Sequence, residues 1–456
     1  VRQVDSYSSG AIGRAMAEAG FKGVEGQTLS LFAPGPYARV ELIGVGDGPL
    51  GPRKAEDFGG RAASLMDGTS GNELQLLWPE DDAQTSARVA LGFRLGDYRF
   101  DRYQQTRRDP DALGSARVLS PSAQARAVYE NDLVYLADAV YLGRDLASEP
   151  ANVIYPESFV ERVKQAFKGV RGVKIKVLDE ADMRRLGMGA LLGVGGGSDR
   201  PPRLMVIEYM AGGDEPPLVL AGKGITFDTG GISLKNPDNM WHMKADMTGA
   251  AVVSATALAT ASRRAEINLV VLAALAENMP SGSANRPGDV LLSMSGRTIE
   301  IKSTDAEGRL VLADAVYYGQ MEYQPNVLID VATLTGSVGR ALGEYYAGLF
   351  GNNEELLDQL MAAGEESGEE LWRLPLDQRY YEQNSSTIAD VRNGGSGNAG
   401  ASNGAAFIGY FIAQDQPWAH LDIAGVDHTD DPFPTVPAGY SAWGIRLLDQ
   451  YIRDQR

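Results

Sequence analysis

The chain has 456 residues, of which 44% are hydrophobic, so it is long enough for two or three domains with a large core. It contains no cysteine, which excludes disulfides, thiolate metal sites and cysteine nucleophiles. Its formal net charge of -18 disfavours nucleic acid as a partner and favours a cationic one, such as a peptide with a free ammonium terminus. No run reaches the roughly 20 apolar residues that a membrane-spanning helix needs, so we expect no membrane partner.

The first part of the chain predicts a small α/β domain over residues 1–123. Strands are expected where apolar and polar residues alternate, and helices where apolar residues recur with helical spacing. The predicted strands are 28–32, 39–43 and 73–77, and the predicted helices are 52–66 and 85–94. A polar stretch from Tyr98 to Pro110, rich in Arg and Asp, is predicted to be a connection.

Residues 124–147 predict a helix that links this domain to a larger one over 148–456, because the apolar residues fall on one helical stripe. In the larger domain strands and helices alternate, which predicts an α/β fold with a mixed, mostly parallel central sheet covered by helices. The predicted strands are 173–178, 203–209, 217–221, 267–275, 297–302, 326–332 and 418–423, and the predicted helices are 156–168, 180–187, 247–263, 309–322, 354–366 and 440–452. Two glycine-rich segments, 193–198 and 393–400, are predicted to be loops, with a helix starting near Asn403.

Three charged residues lie at the junction between a predicted strand and a predicted helix. Asp305, Glu307 and Arg309 alternate within the segment Ser-Thr-Asp-Ala-Glu-Gly-Arg-Leu, residues 303–310, which follows the predicted strand 297–302. In α/β folds, ligands bind at the carboxyl ends of the strands. We therefore expect two carboxylates and a guanidinium to face a ligand at this edge of the sheet.

A second group of charged residues follows the apolar run 217–221, which is typical of a buried parallel strand. The group consists of Lys223, Asp228, Lys235 and Asp246. Its two carboxylates and the two of the first segment would offset two divalent cations, and hard oxygen ligands suit Mg, Mn or Zn. The three histidines of the chain do not show the His-x-x-x-His spacing of a zinc-binding helix, so such a site would have to be built from carboxylates.

Both segments resemble those of the leucyl aminopeptidase family, also called the cytosol aminopeptidase or M17 family, whose members are dinuclear metallopeptidases. Seven of the eight residues in 303–310 match the family pattern, and Ser303 stands where the family has Asn. The segment Trp418–Gly425 is also similar to a family segment, and the resemblance extends over about residues 125–450. It implies that residues 148–456 form the catalytic domain.

The resemblance implies two divalent metal ions per subunit, Mn or Zn, with Mg or Co as further candidates. The residues that match the family's metal ligands are Lys223, Asp228, Asp246, Asp305 and Glu307. Lys223 would bind as a neutral amine, so its pKa would have to fall far below the usual value near 10 under the influence of the dications. Lys235 matches the catalytic cation that polarises the scissile carbonyl, and Arg309 matches the catalytic residue that binds bicarbonate as a proton shuttle.

The implied reaction is hydrolysis of the N-terminal peptide bond of peptides with an unblocked amino terminus by a hydroxide that bridges the metals. The substrate amine would bind one metal, which would explain why only the first residue is removed. Leucine-type residues are the implied substrates, and Met243, Thr333 and Gly336 match the family's pocket for the first side chain. The loop 438–443 is bulkier than its counterpart in the family, which leaves the side-chain preference open.

The resemblance further implies a cytoplasmic enzyme of intracellular peptide and protein turnover that assembles as a homohexamer, a dimer of trimers. Two alternatives stay open, a DNA-binding regulator and a catalytically inactive structural homologue. Taken singly, each acidic residue is explained by solvation or helix capping, Lys223 by an ordinary surface lysine, and the pocket residues by core packing. The complete set of matching charged residues argues against an inactive homologue, and the negative net charge argues against DNA binding.

Overall fold

The structure is a computed structural model that describes residues 2–65, 73–106 and 115–455, and these divide into two units. The first unit is Val1–Ala137 with Asp431–Pro437, and the second is Asp138–Asp430 with Ala438–Arg456. No helix among the described residues is long and apolar enough to cross a membrane. The predicted domain limits at residues 123 and 147 stay a prediction.

The first unit contains two separate pairs of strands and two long helices that pack on each other. Its elements are α1 Arg2–Tyr7, α2 Ala11–Glu18, β1 Thr28–Phe32, β2 Arg39–Ile43, α3 Pro52–Leu65, β3 Leu74–Leu77, α4 Ala83–Gly96, β4 Ala116–Leu119 and α5 Ala125–Val128. Strands β1 and β2 pair antiparallel, whereas β3 and β4 pair parallel. Helices α3 and α4 approach closely at Gly92, where a Cβ atom would lie 1.9 Å from the carbonyl oxygen of Glu56.

The three strands and two long helices predicted for this unit are confirmed, and β4 was not predicted. Residue 66 of the predicted helix 52–66, and residues 107–110 of the predicted connection, lie outside the described residues. The predicted helix 124–147 is also present as a helical stretch. It runs from α5 through five π-helical residues, Tyr129–Leu133, into α6, Val134–Ser148.

The second unit is a large α/β unit built on one sheet of eight strands. Its helices after α6 are α7 Pro156–Ala166, α8 Glu180–Leu186, α9 Gly189–Gly195, α10 Thr248–Ser262, α11 Gly308–Tyr323, α12 Gly336–Leu342, α13 Glu354–Ser367, α14 Gln378–Gln383, α15 Gly400–Gly409 and α16 Ile445–Asp454. Its strands are β5 Val173–Leu178, β6 Arg203–Met210, β7 Leu218–Asp228, β8 Asn268–Asn278, β9 Val290–Leu292, β10 Thr298–Glu300, β11 Val327–Ala332, β12 Ala347–Gly351, β13 Leu371–Arg373, β14 Val391–Arg392, β15 Trp418–Asp422, β16 His428–Thr429 and β17 Gly439–Tyr440.

The strand order in the large sheet is β13-β12-β15-β11-β7-β8-β6-β5. The four central strands β15, β11, β7 and β8 are parallel to one another, and β6, β5 and β12 pair antiparallel with their inner neighbours. This arrangement confirms the predicted mixed, mostly parallel sheet. The register of β7 against β8 shifts between Ile225 and Phe227.

The central strands are apolar along nearly their whole length because helices cover both faces of a parallel sheet. In β8, every residue from Leu269 to Ala276 is buried. Helix α10 is buried on almost all sides, and its small residues let it approach the sheet closely. At Gly249, a Cβ atom would lie only 2.2 Å from the carbonyl oxygen of Val331 in β11.

Two predictions for this unit were wrong. The strand predicted at 217–221 continues to Asp228, so Lys223 lies inside β7 rather than directly after a strand. The glycine-rich segment 193–198 was predicted to be a loop, but its first three residues belong to α9. Smaller differences concern helix starts, since α15 begins at Gly400 rather than near Asn403.

Candidate metal centre

The charged residues singled out in the sequence lie together at the carboxyl edge of the central strands. Strand β7 ends at Asp228, β8 ends at Asn278, and β11 ends one residue before Thr333. Asp246 precedes α10, and the segment 303–310 leads from β10 into α11. The fold thus brings all five predicted metal ligands and Lys235 to one edge.

One half of the centre is formed by Lys223, Asp246 and Glu307, all of them buried. The Nζ atom of Lys223 lies 2.7 Å from Asp246 Oδ1 and 2.9 Å from Glu307 Oε1. It also donates a hydrogen bond of 2.8 Å to the carbonyl oxygen of Thr333. The Thr333 hydroxyl donates to Asp246 Oδ1 at 2.7 Å, so these groups form one connected cluster.

The other half is formed by Asp228, Asp305 and Glu307, whose carboxylate oxygens lie within 4.8 Å of one another. Lys235 bridges two of them, with its Nζ atom 2.8 Å from Asp228 Oδ2 and 2.5 Å from Asp305 Oδ1. Asp228 Oδ1 accepts hydrogen bonds from the backbone of Gly230 at 2.8 Å and from the amide of Asn278 at 2.7 Å. Glu307 is therefore common to both halves, which suits a ligand that bridges two cations.

The donor atoms fit a pair of divalent cations. Two buried carboxylate oxygens, Asp246 Oδ2 and Glu307 Oε2, have no hydrogen-bond partner among the described residues. A buried charged oxygen without a partner is costly, and a hard cation would satisfy it. Four carboxylates and one amine nitrogen are donors that Mn, Mg or Zn accept. The five residues of the predicted ligand set thus match the chemistry of a dinuclear site.

The protein environment holds both lysines in the charged form. Burial acts to lower the pKa of Lys223, but the negative charges of Asp246 and Glu307 raise it by more, so the net shift is upward. The pKa of Lys235 is likewise raised, because Asp228 and Glu307 outweigh the effect of burial. A protonated Lys223 has no lone pair for a metal, so metal binding at this half must release its proton.

The carboxylates respond to the same cluster in different ways. Burial and the nearby charge of Glu307 raise the pKa of Asp228 to about 6. Burial also raises the pKa of Asp246 well above its usual range. For Glu307, burial acts upward but Lys223 and Lys235 act downward more strongly, and the net shift of its pKa is downward.

Two glycines make the cluster sterically possible. At Gly308, a Cβ atom would lie 2.5 Å from Cε and 2.8 Å from Nζ of Lys223. Gly230 has a φ of 84°, a conformation that favours glycine, and a Cβ atom there would lie 2.9 Å from Asp305 Oδ1. The absence of a side chain at Gly308 leaves room for the end of Lys223, and the backbone conformation of Gly230 turns the chain from β7 towards Lys235.

Arg309 is buried at the start of α11, beside the cluster. Its Nη1 atom donates a hydrogen bond of 2.8 Å to the carbonyl oxygen of Asn393, and its Nε atom has no partner among the described residues. Burial lowers the pKa of Arg309, although a guanidinium stays charged at neutral pH. An anion could use the remaining N–H groups.

The three predicted pocket residues differ in how they relate to the Lys223–Asp246 half. Thr333 is buried and contacts Asp246 directly. Met243 is half-buried in the 3-10 turn that leads to Asp246, and its carbonyl oxygen accepts from the Asp246 N–H at 3.3 Å. Gly336 is exposed at the start of α12. Their role in substrate binding stays a prediction.

Two asparagines that were not predicted from the sequence organise the centre. Asn278 donates to Asp228 Oδ1 and, at 3.0 Å, to the carbonyl oxygen of Thr304. The amide of Asn393 donates to the carbonyl oxygen of Ser303 at 2.6 Å and accepts from the Lys302 N–H at 2.8 Å. The position of Asn278 at the end of a central strand was an available signal.

The histidines take no part in the group of carboxylates that could hold a metal among the described residues. His242 packs on Trp241, with ring centroids 3.5 Å apart, and meets the edge of His428 at 4.8 Å. His420 is fully buried, with Nδ1 2.6 Å from Asp330 Oδ1. This agrees with the expectation of a site built from carboxylates.

Comparison with known proteins identifies the family. Residues 141–449 match the catalytic domain of the cytosol aminopeptidase family, and residues 1–107 match the N-terminal domain of the same family. The chain belongs to the cytosol aminopeptidase family. A probable cytosol aminopeptidase from Caulobacter vibrioides is 45% identical over 465 residues, which cover 99% of this chain and 93% of that protein.

Two solved structures are similar to this cytosol aminopeptidase family member over almost its whole length. The bottromycin maturation enzyme BotP in complex with Mn has a TM-score of 0.88 at 32% identity, and the match covers 96% of each chain. A mutant of tomato leucine aminopeptidase has a TM-score of 0.88 at 31% identity, covering 99% of this chain and 88% of that one. The chain is accordingly a metal-dependent aminopeptidase, a metallo-exopeptidase that acts on peptides.

Proposed function

We propose that this protein removes the first residue of peptides with a free amino terminus, with leucine-type residues as substrates, at the cluster of Lys223, Asp228, Asp246, Asp305 and Glu307. The observation that carries the proposal is the pair of adjoining half-sites that share Glu307. Two divalent cations bound there would supply a hydroxide nucleophile at neutral pH, because they lower the pKa of a shared water. The remaining steps depend on residues of the chain.

Substrate reaches the centre from the side of Asp305 and Lys235. The side chain of Asp305 is 37% exposed and that of Lys235 is 24% exposed, whereas the other members of the cluster are buried. The ammonium terminus of a peptide would be attracted to this acidic opening. A blocked amino terminus has neither the charge nor the lone pair, which supports exopeptidase rather than endopeptidase action.

Lys235 is assigned to stabilise the negative charge that develops on the carbonyl oxygen during attack. Its raised pKa keeps it cationic, and its position between Asp228 and Asp305 places the positive charge at the solvent-exposed side of the cluster. Arg309 is assigned to hold a small planar anion, bicarbonate, as the proton shuttle, because its guanidinium is a planar fork of donors. Met243, Thr333 and Gly336 are assigned to the pocket for the first side chain.

Further properties follow from the family by analogy. Mn is the metal we propose first, because the similar BotP structure is a complex with Mn, and Zn, Mg and Co are further candidates. We also propose a homohexameric assembly, a cytoplasmic location, as the name of the relatives suggests, and a role in peptide and protein turnover.

The test is a hydrolysis assay with a panel of aminoacyl-peptides, free and N-acetylated, on protein loaded with Mn and on protein treated with a chelator. We expect cleavage of the free peptides by the loaded protein alone, with release of a single residue. Hydrolysis by the chelated protein, or cleavage of acetylated peptides at a similar rate, would contradict the proposal.

A further inference from the structure

A short loop between β11 and α12 is fixed by one buried carboxylate, that of Asp422. Its Oδ1 atom accepts hydrogen bonds from the backbone N–H groups of Leu334 at 3.0 Å, Thr335 at 3.3 Å and Ala424 at 3.3 Å. Its Oδ2 atom accepts from the Thr335 hydroxyl at 2.7 Å. The side chain is fully buried.

The sheet itself places Asp422 beside this loop. Strands β15 and β11 are parallel, and Asp422 pairs with Ala332, the last residue of β11. The chain leaves β11 at Thr333, so the loop would be free to take other conformations without a partner for its N–H groups. Asp422 satisfies two of these groups and a side-chain hydroxyl at once, which selects one loop conformation.

The same loop contacts the candidate metal centre through Thr333. The Thr333 carbonyl oxygen accepts from Lys223 Nζ at 2.8 Å, and its hydroxyl donates to Asp246 Oδ1 at 2.7 Å. No other residue described in the structure makes a hydrogen bond to both of these ligands. Asp422 has no hydrogen bond to either ligand, and its hydrogen bonds to Leu334 and Thr335 connect it to the loop that carries Thr333.

We propose that Asp422 is a positioning residue that sets the metal affinity of the Lys223–Asp246 half of the centre by fixing Thr333. The proposal rests on the dinuclear site proposed above. It predicts an asymmetric effect, because Asp228 and Asp305 are held by Asn278, Gly230 and Lys235 and not by this loop. Loss of Asp422 should therefore weaken one of the two metal sites and leave the other unchanged.

The experiment compares Asp422→Ala with Asp314→Ala, a matched control. Asp314 is also fully buried and also accepts from two backbone N–H groups, those of Leu191 at 2.9 Å and Met294 at 2.8 Å, but it does not contact the loop. Binding of Mn²⁺ to each metal-free protein is followed by equilibrium dialysis with atomic emission, and by calorimetry. Thermal unfolding is recorded for each variant, and Asp422→Asn, which keeps the side-chain shape, replaces Asp422→Ala if the latter does not fold.

In Asp422→Ala, we expect one of the two dissociation constants for Mn²⁺ to rise by roughly 10- to 100-fold, the usual effect of removing a group that orients a metal ligand. In Asp314→Ala, both constants should stay at the wild-type values although the unfolding temperature falls. Thr333→Val, which removes the hydroxyl that bonds Asp246, should weaken the same site. Adding it to Asp422→Ala should give less than the product of the two effects, since both act through Thr333.

Equal changes at both metal sites in Asp422→Ala, or wild-type values at both, would overturn the role of Asp422. A fully multiplicative effect in the double variant would also overturn it, because Asp422 would then act by another route. Wild-type protein that binds fewer than two Mn²⁺ ions would instead refute the dinuclear site itself. The two failures are thus separated by the wild-type titration.

Discussion

A single added methyl group at Gly308 tests whether Lys223 needs its observed position. A Cβ atom there would lie 2.5 Å from Cε, 2.6 Å from Cδ and 2.8 Å from Nζ of Lys223. Carbon atoms in contact are about 3.5–4.0 Å apart, so the end of Lys223 would have to move by roughly 1 Å. Its Nζ atom is held at 2.7 Å by Asp246 and at 2.9 Å by Glu307, and such a displacement would break this geometry.

The expected cost to folding is small, whereas the expected cost to metal binding is large. Overpacking typically costs about 1–3 kcal/mol, and replacing glycine by alanine in a helix returns up to about 1 kcal/mol. The free energy of unfolding of Gly308→Ala should therefore fall by about 1–2 kcal/mol. Metal affinity at the Lys223–Asp246 half should fall by roughly 10- to 100-fold, as for other changes that disorient a ligand.

The assay measures metal per subunit by atomic emission after dialysis against a low fixed concentration of Mn²⁺, together with aminopeptidase activity. The control is Gly282→Ala, because a Cβ atom at Gly282 would meet nothing within 4 Å. We expect Gly308→Ala to lose about one ion per subunit while the control keeps both. If Gly308→Ala keeps two ions with wild-type affinity and activity, the assignment of Lys223 as a ligand is wrong.

Four further predictions follow. Lys223→Ala should lose metal, whereas Lys235→Ala should keep two ions and lose roughly 100- to 1,000-fold in kcat. If Lys235→Ala loses metal and Lys223→Ala does not, the assignment of Lys223 as the ligand and Lys235 as the stabilising cation is wrong. Chelation should abolish activity and Mn, Zn or Co should restore it; full activity in metal-free protein would rule out the metal centre. Light scattering should give a hexamer, and a monomer at micromolar concentration would contradict the family assembly. Burial raises the pKa of Asp314 to about 7, so between about pH 4 and pH 7 the folded state keeps the Asp314 proton while the unfolded state loses it. The free energy of unfolding of the wild-type protein, relative to that of Asp314→Asn, should therefore fall by up to about 4 kcal/mol as the pH rises through this range. A difference that does not change with pH would show that Asp314 is ionised in the folded state.

Much of the fold was predictable because the strongest patterns are local. The run of buried residues in β8 and the alternation in β1 and β2 each specify a strand without reference to distant residues. The length of β7 was not predictable in this way, because Gly222 and Gly224 interrupt the apolar run. The structure explains both glycines: a Cβ atom at Gly222 would lie 2.5 Å from the carbonyl oxygen of Gly249, and one at Gly224 would lie 2.7 Å from that of Ala274.

The residue types of the candidate site were identified from the sequence, but their arrangement was not. The charged residues follow strands, and the carboxyl edge of the sheet collects them. The contacts that orient them are long-range, as between Asn393 and Ser303 or between Asp422 and Leu334, and no local pattern shows them. Lys223 was predicted to become a neutral ligand under the influence of the dications. The protein groups around it raise its pKa, so the metal itself must displace the proton.

The register shift in β7 decides which face of the sheet each ligand occupies. Side chains alternate along a regular strand, so Lys223 and Asp228, five positions apart, would point to opposite faces. Ile225 pairs with Ala276 and Phe227 with Glu277, which leaves Thr226 as an extra residue between two consecutive partners. This extra residue reverses the alternation and returns Asp228 to the face of Lys223. The bulge at Thr226 is therefore itself part of the site, because a related chain with the same five-position separation but a regular pairing of this strand would hold its two ligands on opposite sides of the sheet.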